Sequence, residues 1–341
     1  MRRVVYDVTG GPEVLRLDEA PVPEPGPGEV RVRVHRSGVN PTDWKSRRGP
    51  GDGQPVDPPQ TPNQDGAGVV EAVGTGVDQA RLGERVWLWE AAYQRPYGTA
   101  AEATVVPERQ AVSLPDGASF DLGAALGVPF VTAHRCLTVA EEGPHHLGPG
   151  ALAGRTILVT GGAGAVGNAA IQLGRWSDAT VIATVSSPEK AQLAAAAGAD
   201  HVIDYKQQDV GEEVRKIVPR GVHTIVDVSV AQNAVSDVAV LAANGVVAMY
   251  ADNGGAEVTL PIRALMIRNA RWQFVLLYTL RMAAKEQALA DITLALRQGV
   301  VRVGEQAGLP LHHFSLEQSA QAHAAVQDGV VGKVLIDVTD E

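Results

Sequence analysis

Cysteine is nearly missing from this chain: Cys136 is the single one among 341 residues. One thiol permits no intramolecular disulfide and no cysteine-built zinc site within one chain. A reducing cytoplasm suits such a composition and is the expected location. Long apolar runs are also lacking. No uncharged stretch reaches the roughly 18 residues of a membrane-spanning helix, so no membrane partner is expected. The opening MRRVVYDVTGG starts basic but carries no apolar run of the secretory-signal type. Positive charge is in deficit, with 29 Lys and Arg against 39 Asp and Glu and a formal net charge of −10. That balance argues against a nucleic-acid partner, and a 4% aromatic content leaves little for base stacking. No G-x-S-x-G elbow points to a hydrolase, and no internal repeat is visible.

What is present is an ordinary globular composition, 45% hydrophobic and 20% charged. The length suits two domains. In the first third, Val30, Val32 and Val34 alternate with Arg31, Arg33 and His35, the period of a half-buried strand. The proline-rich PVPEPGPGEV before them cannot be helix interior. GAGVVEAVGTGV, GERVWLW and AEATVVPE follow as short β-rich runs between glycine turns. A compact β-domain is therefore expected over 1–127.

Near Thr156 the pattern changes. RTILVT is followed by a glycine loop and by NAAIQLGRW at helical spacing. Four further β-runs, ATVIATV, HVIDY, VHTIVDV and GVVAMY, alternate with helical segments. This alternation predicts an α/β domain with a doubly wound parallel sheet of the Rossmann, dinucleotide-binding type over 128–277. RWQFVLLYTL is expected to close that sheet. Residues 278–341, with helix KEQALADITLALRQG and strand GKVLIDVT, are expected to return to the first domain, making the nucleotide domain an insertion.

The loop VTGGAGAVG carries Gly162, Gly164 and Gly167 as G-x-G-x-x-G. Three glycines alone are weak evidence, but here a strand precedes them and a helix follows near Ala165, the context in which such a loop holds a pyrophosphate. An NAD-type site places an acidic residue about 20 positions further on. Thr184, Val185, Ser186 and Ser187 stand there instead. Hydroxyls with the nearby Lys190 suit a 2′-phosphate, so NADPH is the expected cofactor.

Taken in order, GPEVLRLDEAPVPEPGPGEVRVRV, GVNPTDWKSRRG, GVPFVTAH, VTGGAGAVG, AGADHVIDY and GKVLIDV resemble the medium-chain dehydrogenase/reductase superfamily. The branch they resemble is the zinc-free quinone oxidoreductases, similar to zeta-crystallin. The resemblance implies a GroES-like β-rich catalytic domain around the Rossmann insertion. It implies a 2′-phosphate site at Lys190 and Tyr205, and a nicotinamide end lined by Asn40 and Thr132. It further implies that Ala163, Gly164, Ala165 and Val166 run along the pyrophosphate. Zinc alcohol dehydrogenases of the superfamily carry a cysteine where this chain has Asn40 and a histidine where it has Gln64, and their four-cysteine lobe is absent. No metal is expected.

The implied activity is hydride transfer from NADPH to a small-molecule quinone or α,β-unsaturated carbonyl. Such acceptors spread the incoming charge onto a remote oxygen, so hydrogen bonds can replace a metal. The run NPTDWK also resembles alkenal and enone reductases of this branch. There Lys45 could steady an incipient enolate or simply face solvent. Alternatives are a stand-alone enoyl reductase for acyl or polyketide chains and a non-catalytic, crystallin-like nucleotide binder. Related reductases pair their last sheet strand across a two-fold axis. The apolar RWQFVLLYTL would be a liable edge in a monomer, so a homodimer is expected. The pairs His145–His146 and His312–His313 are expected to be surface residues. His134 and Cys136, two apart on one helix, do not face each other.

Overall fold

In the computed structural model, which describes residues 1–340, the chain opens with strands β1 (Arg2–Val8), β2 (Arg16–Glu19) and β3 (Glu29–Val39). The valine–arginine alternation gives β3 two unlike faces: Val30, Val32 and Val34 are fully buried. Helix α1 (Pro41–Arg48) follows at once, started by Pro41 in its first turn. Then come β4 (Pro55–Gln60), β5 (Asp65–Val73), β6 (Arg85–Leu88), β7 (Ala103–Pro107) and β8 (Ala111–Ser113). Helices α2 (Phe120–Ala124) and α3 (Gly127–Leu137) end this stretch.

The alternating segment forms β9 (Thr156–Thr160), α4 (Ala165–Trp176), β10 (Thr180–Val185), α5 (Pro188–Ala196), β11 (His201–Asp204) and α6 (Val210–Ile217). It continues with β12 (Val222–Asp227), α7 (Val230–Val240), β13 (Leu241–Met249), α8 (Ile262–Arg268), β14 (Arg271–Phe274) and α9 (Met282–Arg297). All six strands are parallel, in the order β11-β10-β9-β12-β13-β14, the doubly wound arrangement. Leu158, Ile182, Ile225 and Val247 form the buried centre of its core. Gly174 lets α4 press on β9, since a Cβ there would meet Ile157 Cδ1 at 2.5 Å.

The chain finishes with β15 (Leu311–Ser315), α10 (Ser319–Gln327) and β16 (Lys333–Asp337). β16 pairs with β3, so the last strand completes the first sheet, ordered β15-β16-β3-β5-β6-β8 with β7 also on β3. β1 lies between β2 and β4 in a separate three-stranded sheet. The GroES-like β-rich unit and the Rossmann unit are thus both present, the second inserted in the first. Among the described residues no helix is long and apolar enough to cross a membrane.

Two boundaries differ from the sequence reading. The chain divides into residues 1–128 with 310 onward, and 129–309. The return therefore starts at Pro310 and not at 278. The cause lies in polar side chains of α4. Asn168 donates to Ala307 O at 2.8 Å, Gln172 donates to Arg302 O at 3.0 Å, and Trp176 donates to Gln298 Oε1 at 2.8 Å. These bonds hold α9 and the segment after it within the second unit. The edge strand is also shorter than RWQFVLLYTL, stopping at Phe274 before a single 3₁₀ turn at Leu277–Thr279.

Candidate functional site

The glycine loop is built for close approach. Gly161 leaves β9 with φ of +66°, a left-handed conformation glycine adopts freely. Gly162 N–H donates to Thr184 O at 3.0 Å, and a Cβ on Gly162 would meet Ala183 Cβ at 2.9 Å. A Cβ on Gly167 would come within 2.3 Å of Gly161 O. Gly164 starts α4 without a side-chain cap. It is exposed, Ala165 and Val166 are half-buried and Ala163 is buried. The first turn of α4 thus offers uncapped N–H groups at the positive end of a helix dipole.

Thr160 fastens the neighbouring loop beneath this turn. Its hydroxyl donates to Asp227 Oδ1 at 2.8 Å and accepts Val228 N–H at 3.0 Å. Asp237 lies buried beside Asp227. Burial, reinforced by Asp227, pushes its carboxyl up to about 10.

At the end of β10 the expected phosphate residues come together. Lys190 Nζ donates to Ser186 Oγ at 3.0 Å, and Ser187 Oγ caps α5 by accepting Lys190 N–H at 3.3 Å. Tyr205 N–H donates to Val185 O at 3.0 Å, which sets the tyrosine beside Ser186 in the adjacent strand end. Its side chain is exposed. Lys206, which the sequence reading did not single out, places its ammonium 5.4 Å from the Tyr205 ring centroid. One carboxylate, the exposed Glu189, also lies here. A hydrogen bond from Ser187 holds it below the usual carboxylate range. Thr132 is buried on α3.

In the first unit Asn40 is buried and fully committed. Its Nδ2 donates to Asp65 Oδ2 at 2.8 Å, and its Oδ1 accepts from Lys333 Nζ at 2.7 Å. Lys333 Nζ also lies 3.3 Å from Asp65 Oδ2, and Asp65 Oδ1 accepts Val128 N–H at 2.9 Å. Burial pushes the Asp65 carboxyl up and the Lys333 ammonium down, while their attraction counters both. Gly127 makes room for this arrangement, since a Cβ there would sit 2.1 Å from Asp65 Oδ1.

The donor set does not suit zinc. An ammonium already occupies the cation's place at the Asn40 amide oxygen, and Gln64 Oε1 accepts Ala92 N–H at 3.1 Å. Burial pushes the Cys136 thiol up to about 12, so it is no thiolate at neutral pH.

A cavity of about 220 Å³ opens in this unit, lined by Tyr6, Asp43, Asn63, Gln64, Tyr93 and Gln94 among others. Asp43 is buried; its Oδ2 accepts Asn40 N–H at 2.7 Å, and the Gln64 backbone also hydrogen-bonds its carboxyl. Lys45 is exposed and does not line the cavity. Its ammonium lies 5.8 Å from the Trp44 ring centroid.

The sequence reading missed Asp65, Lys333 and Asp43. Asp43 stood in view within NPTDWK, but the pairing of Asn40 with Lys333 spans 293 positions and left no local sign. The histidines also hold a surprise. Buried His134 Nε2 and exposed His146 Nδ1 both reach Asp291, at 2.7 and 3.1 Å, joined by Leu147 N–H at 2.7 Å. They tie α3 and the loop before β9 to α9.

Two family models match the chain: "Alcohol dehydrogenase GroES-like domain" over residues 26–116 and "Zinc-binding dehydrogenase" over 165–293. A quinone oxidoreductase of Lama guanicoe is 30% identical over 98% of this chain and 97% of its own. Among solved structures, an NAD-dependent alcohol dehydrogenase superposes with a TM-score of 0.86 at 30% identity, covering 99% of this chain and 100% of that one. The Escherichia coli quinone oxidoreductase complexed with NADPH gives 0.79 at 25% identity, covering 99% and 100%.

Proposed function

The chain belongs to the medium-chain dehydrogenase/reductase superfamily, and on that premise we propose that it is a zinc-independent, NADPH-dependent reductase of quinones or α,β-unsaturated carbonyls. The observation that carries this reading is the Lys190–Ser186 contact with Tyr205 set beside it. A nucleotide with a 2′-phosphate finds there an ammonium, two serine hydroxyls and a phenol. Bound NADPH would supply the hydride. The chain's own part is to hold it: the first-turn N–H groups of Ala165 and Val166 would take the pyrophosphate, Gly164 N–H being spent on Gly161 O at 2.9 Å, and Lys190, Ser186, Ser187 and Tyr205 would take the 2′-phosphate.

The unsuitability of Asn40 and Gln64 for zinc supports conjugated acceptors. A saturated ketone concentrates charge on one alkoxide oxygen, which calls for a Lewis acid. A quinone or enone spreads that charge, and ordinary hydrogen bonds suffice. Asn40, with both polar side-chain atoms engaged, serves as a strut between β3, β5 and β16.

The form proposed is a homodimer joined at the β14 edge. Phe274 and Leu276 are 67% and 52% exposed there, and Ile262, Met266 and Ile267 on α8 are likewise exposed, apolar side chains that a partner would cover. Turnover of NADPH against NADH over a panel of quinones and enones tests the reading. Alcohol oxidation with NAD would instead align the chain with the alcohol dehydrogenase it superposes on.

A further inference from the structure

The link between β4 and β5 is pinned from several sides. Thr61 N–H donates to Pro96 O at 3.0 Å, and Thr61 O accepts Gly98 N–H at 3.0 Å. Gln64 is clamped by two successive donors. Its backbone O accepts Ala91 N–H at 3.0 Å, and its side-chain Oε1 accepts Ala92 N–H at 3.1 Å. Asn63 between Thr61 and Gln64 takes a left-handed φ of +79°. Its amide is spent on Ser37 Oγ and His323 Nε2, both at 2.9 Å. Tyr6 of β1 stands opposite Gln60 at the end of β4. Tyr6, Thr61 and Gln64 thus line the same cavity of about 220 Å³.

Three polar groups on its wall are uncommitted. The Tyr6 and Thr61 hydroxyls and Gln64 Nε2 have no hydrogen-bond partner among the described residues, yet none of them is sealed off. The residues themselves are only 7%, 2% and 5% exposed, so the little surface these groups keep faces the cavity. Gln64 cannot turn its amide round without stripping Ala92 N–H of its acceptor, which leaves the NH2 end to the cavity. Polar groups on buried residues are rarely left unpaired. Three of them around one space fit a polar ligand.

Their chemistry narrows what that ligand is. Gln64 Nε2 can only donate, and both hydroxyls can donate as well. Burial pushes the Tyr6 hydroxyl up to about 12, so this donor keeps its proton. The ligand must bring an accepting oxygen. No lysine, arginine or histidine lines the cavity, so an anion would lose hydration without gaining a counter-charge. The volume is below the roughly 300 Å³ where typical ligand pockets begin. One ring or a short chain fits, and a long acyl chain does not.

We propose that this cavity is the binding site for a small, neutral carbonyl compound, its oxygen received by Gln64 Nε2 and the hydroxyls of Tyr6 and Thr61. Naming a carbonyl rests on the reductase reading above, whereas every lining residue belongs to the first unit. Binding therefore needs no nucleotide.

The test is binding of 2-cyclohexen-1-one to nucleotide-free protein, followed by ligand-observed NMR. Tyr6→Phe and Thr61→Val remove hydroxyls that no other protein group uses, so folding should stand. Affinity should fall about threefold in each and about tenfold in the double variant, as expected for lost neutral hydrogen bonds. Gln64→Met should weaken binding by a similar step. It also strips Ala92 N–H of its acceptor, so the hydroxyl variants decide if it fails to fold. Crotonamide should bind, and crotonate, its anionic counterpart, should bind about tenfold more weakly or worse. Testosterone, an enone of four rings, should not displace 2-cyclohexen-1-one. Unchanged affinity in the double variant, crotonate binding as well as crotonamide, displacement by testosterone, or no binding by the wild type overturns the proposal. NADPH turnover is read separately. Intact binding without turnover strikes the reductase reading and leaves the site. Turnover with affinity and KM unmoved in the double variant strikes the site and leaves the reading.

Discussion

Lys190 Nζ reaches Ser186 Oγ at 3.0 Å, bridging the first turn of α5 and the end of β10. The contact holds the ammonium ready at the strand end where an NAD site would present a carboxylate. A charged hydrogen bond to a phosphate is worth about 1.5–3 kcal/mol. Lys190→Ala should therefore weaken NADPH about tenfold or more and leave NADH unchanged, as read by fluorescence titration with each nucleotide. Equal losses for both would remove the 2′-phosphate assignment.

Lys333 and Asp65 form a buried pair at 3.3 Å. Removing one partner of such a pair leaves an uncompensated charge, at a cost of about 3–5 kcal/mol. Lys333→Met should lower Tm clearly. Adding Asp65→Asn to it should recover much of the loss, because the second change removes the stranded charge. Thermal melts of both variants at pH 7 check this, and a double variant no more stable than the single one contradicts it.

The alternation of strands and helices, the glycine loop and the residues after β10 were all readable in the sequence, because each is local. Chemistry within a few positions leaves a periodic or motif signal: Ser186, Ser187 and Lys190 share a single strand-to-helix turn. Asn40 was singled out for the nicotinamide end, whereas its partners Asp65 and Lys333 come from distant strands that only the fold aligns. The same holds for 278–309. Its helix was legible, while its attachment to Asn168, Gln172 and Trp176 depended on which face of α4 those side chains occupy.

Lys45 is exposed and stands outside the cavity lining. Lys45→Ala should accordingly change kcat and KM by less than about twofold, within what surface substitutions usually do. A fall in kcat of about tenfold or more with unchanged NADPH affinity would restore it as an enolate-stabilising group.

The exposed Phe274 beside the β14 edge, with Met266 and Ile267 on α8, should be covered in a dimer. Light scattering at micromolar concentration should return twice the 35.7 kDa chain mass. Phe274→Asp should shift the population toward monomer. A monomeric wild type would show that this edge is left open.

The most direct test of the central claim follows NADPH oxidation by chelator-treated protein with 1,4-benzoquinone, 2-cyclohexen-1-one and saturated cyclohexanone. Elemental analysis of the same sample accompanies it. The account expects turnover of at least one conjugated acceptor, little or none of cyclohexanone, and no stoichiometric zinc. Robust alcohol oxidation or ketone reduction that is lost on chelation and restored by zinc, with conjugated acceptors untouched, would contradict it.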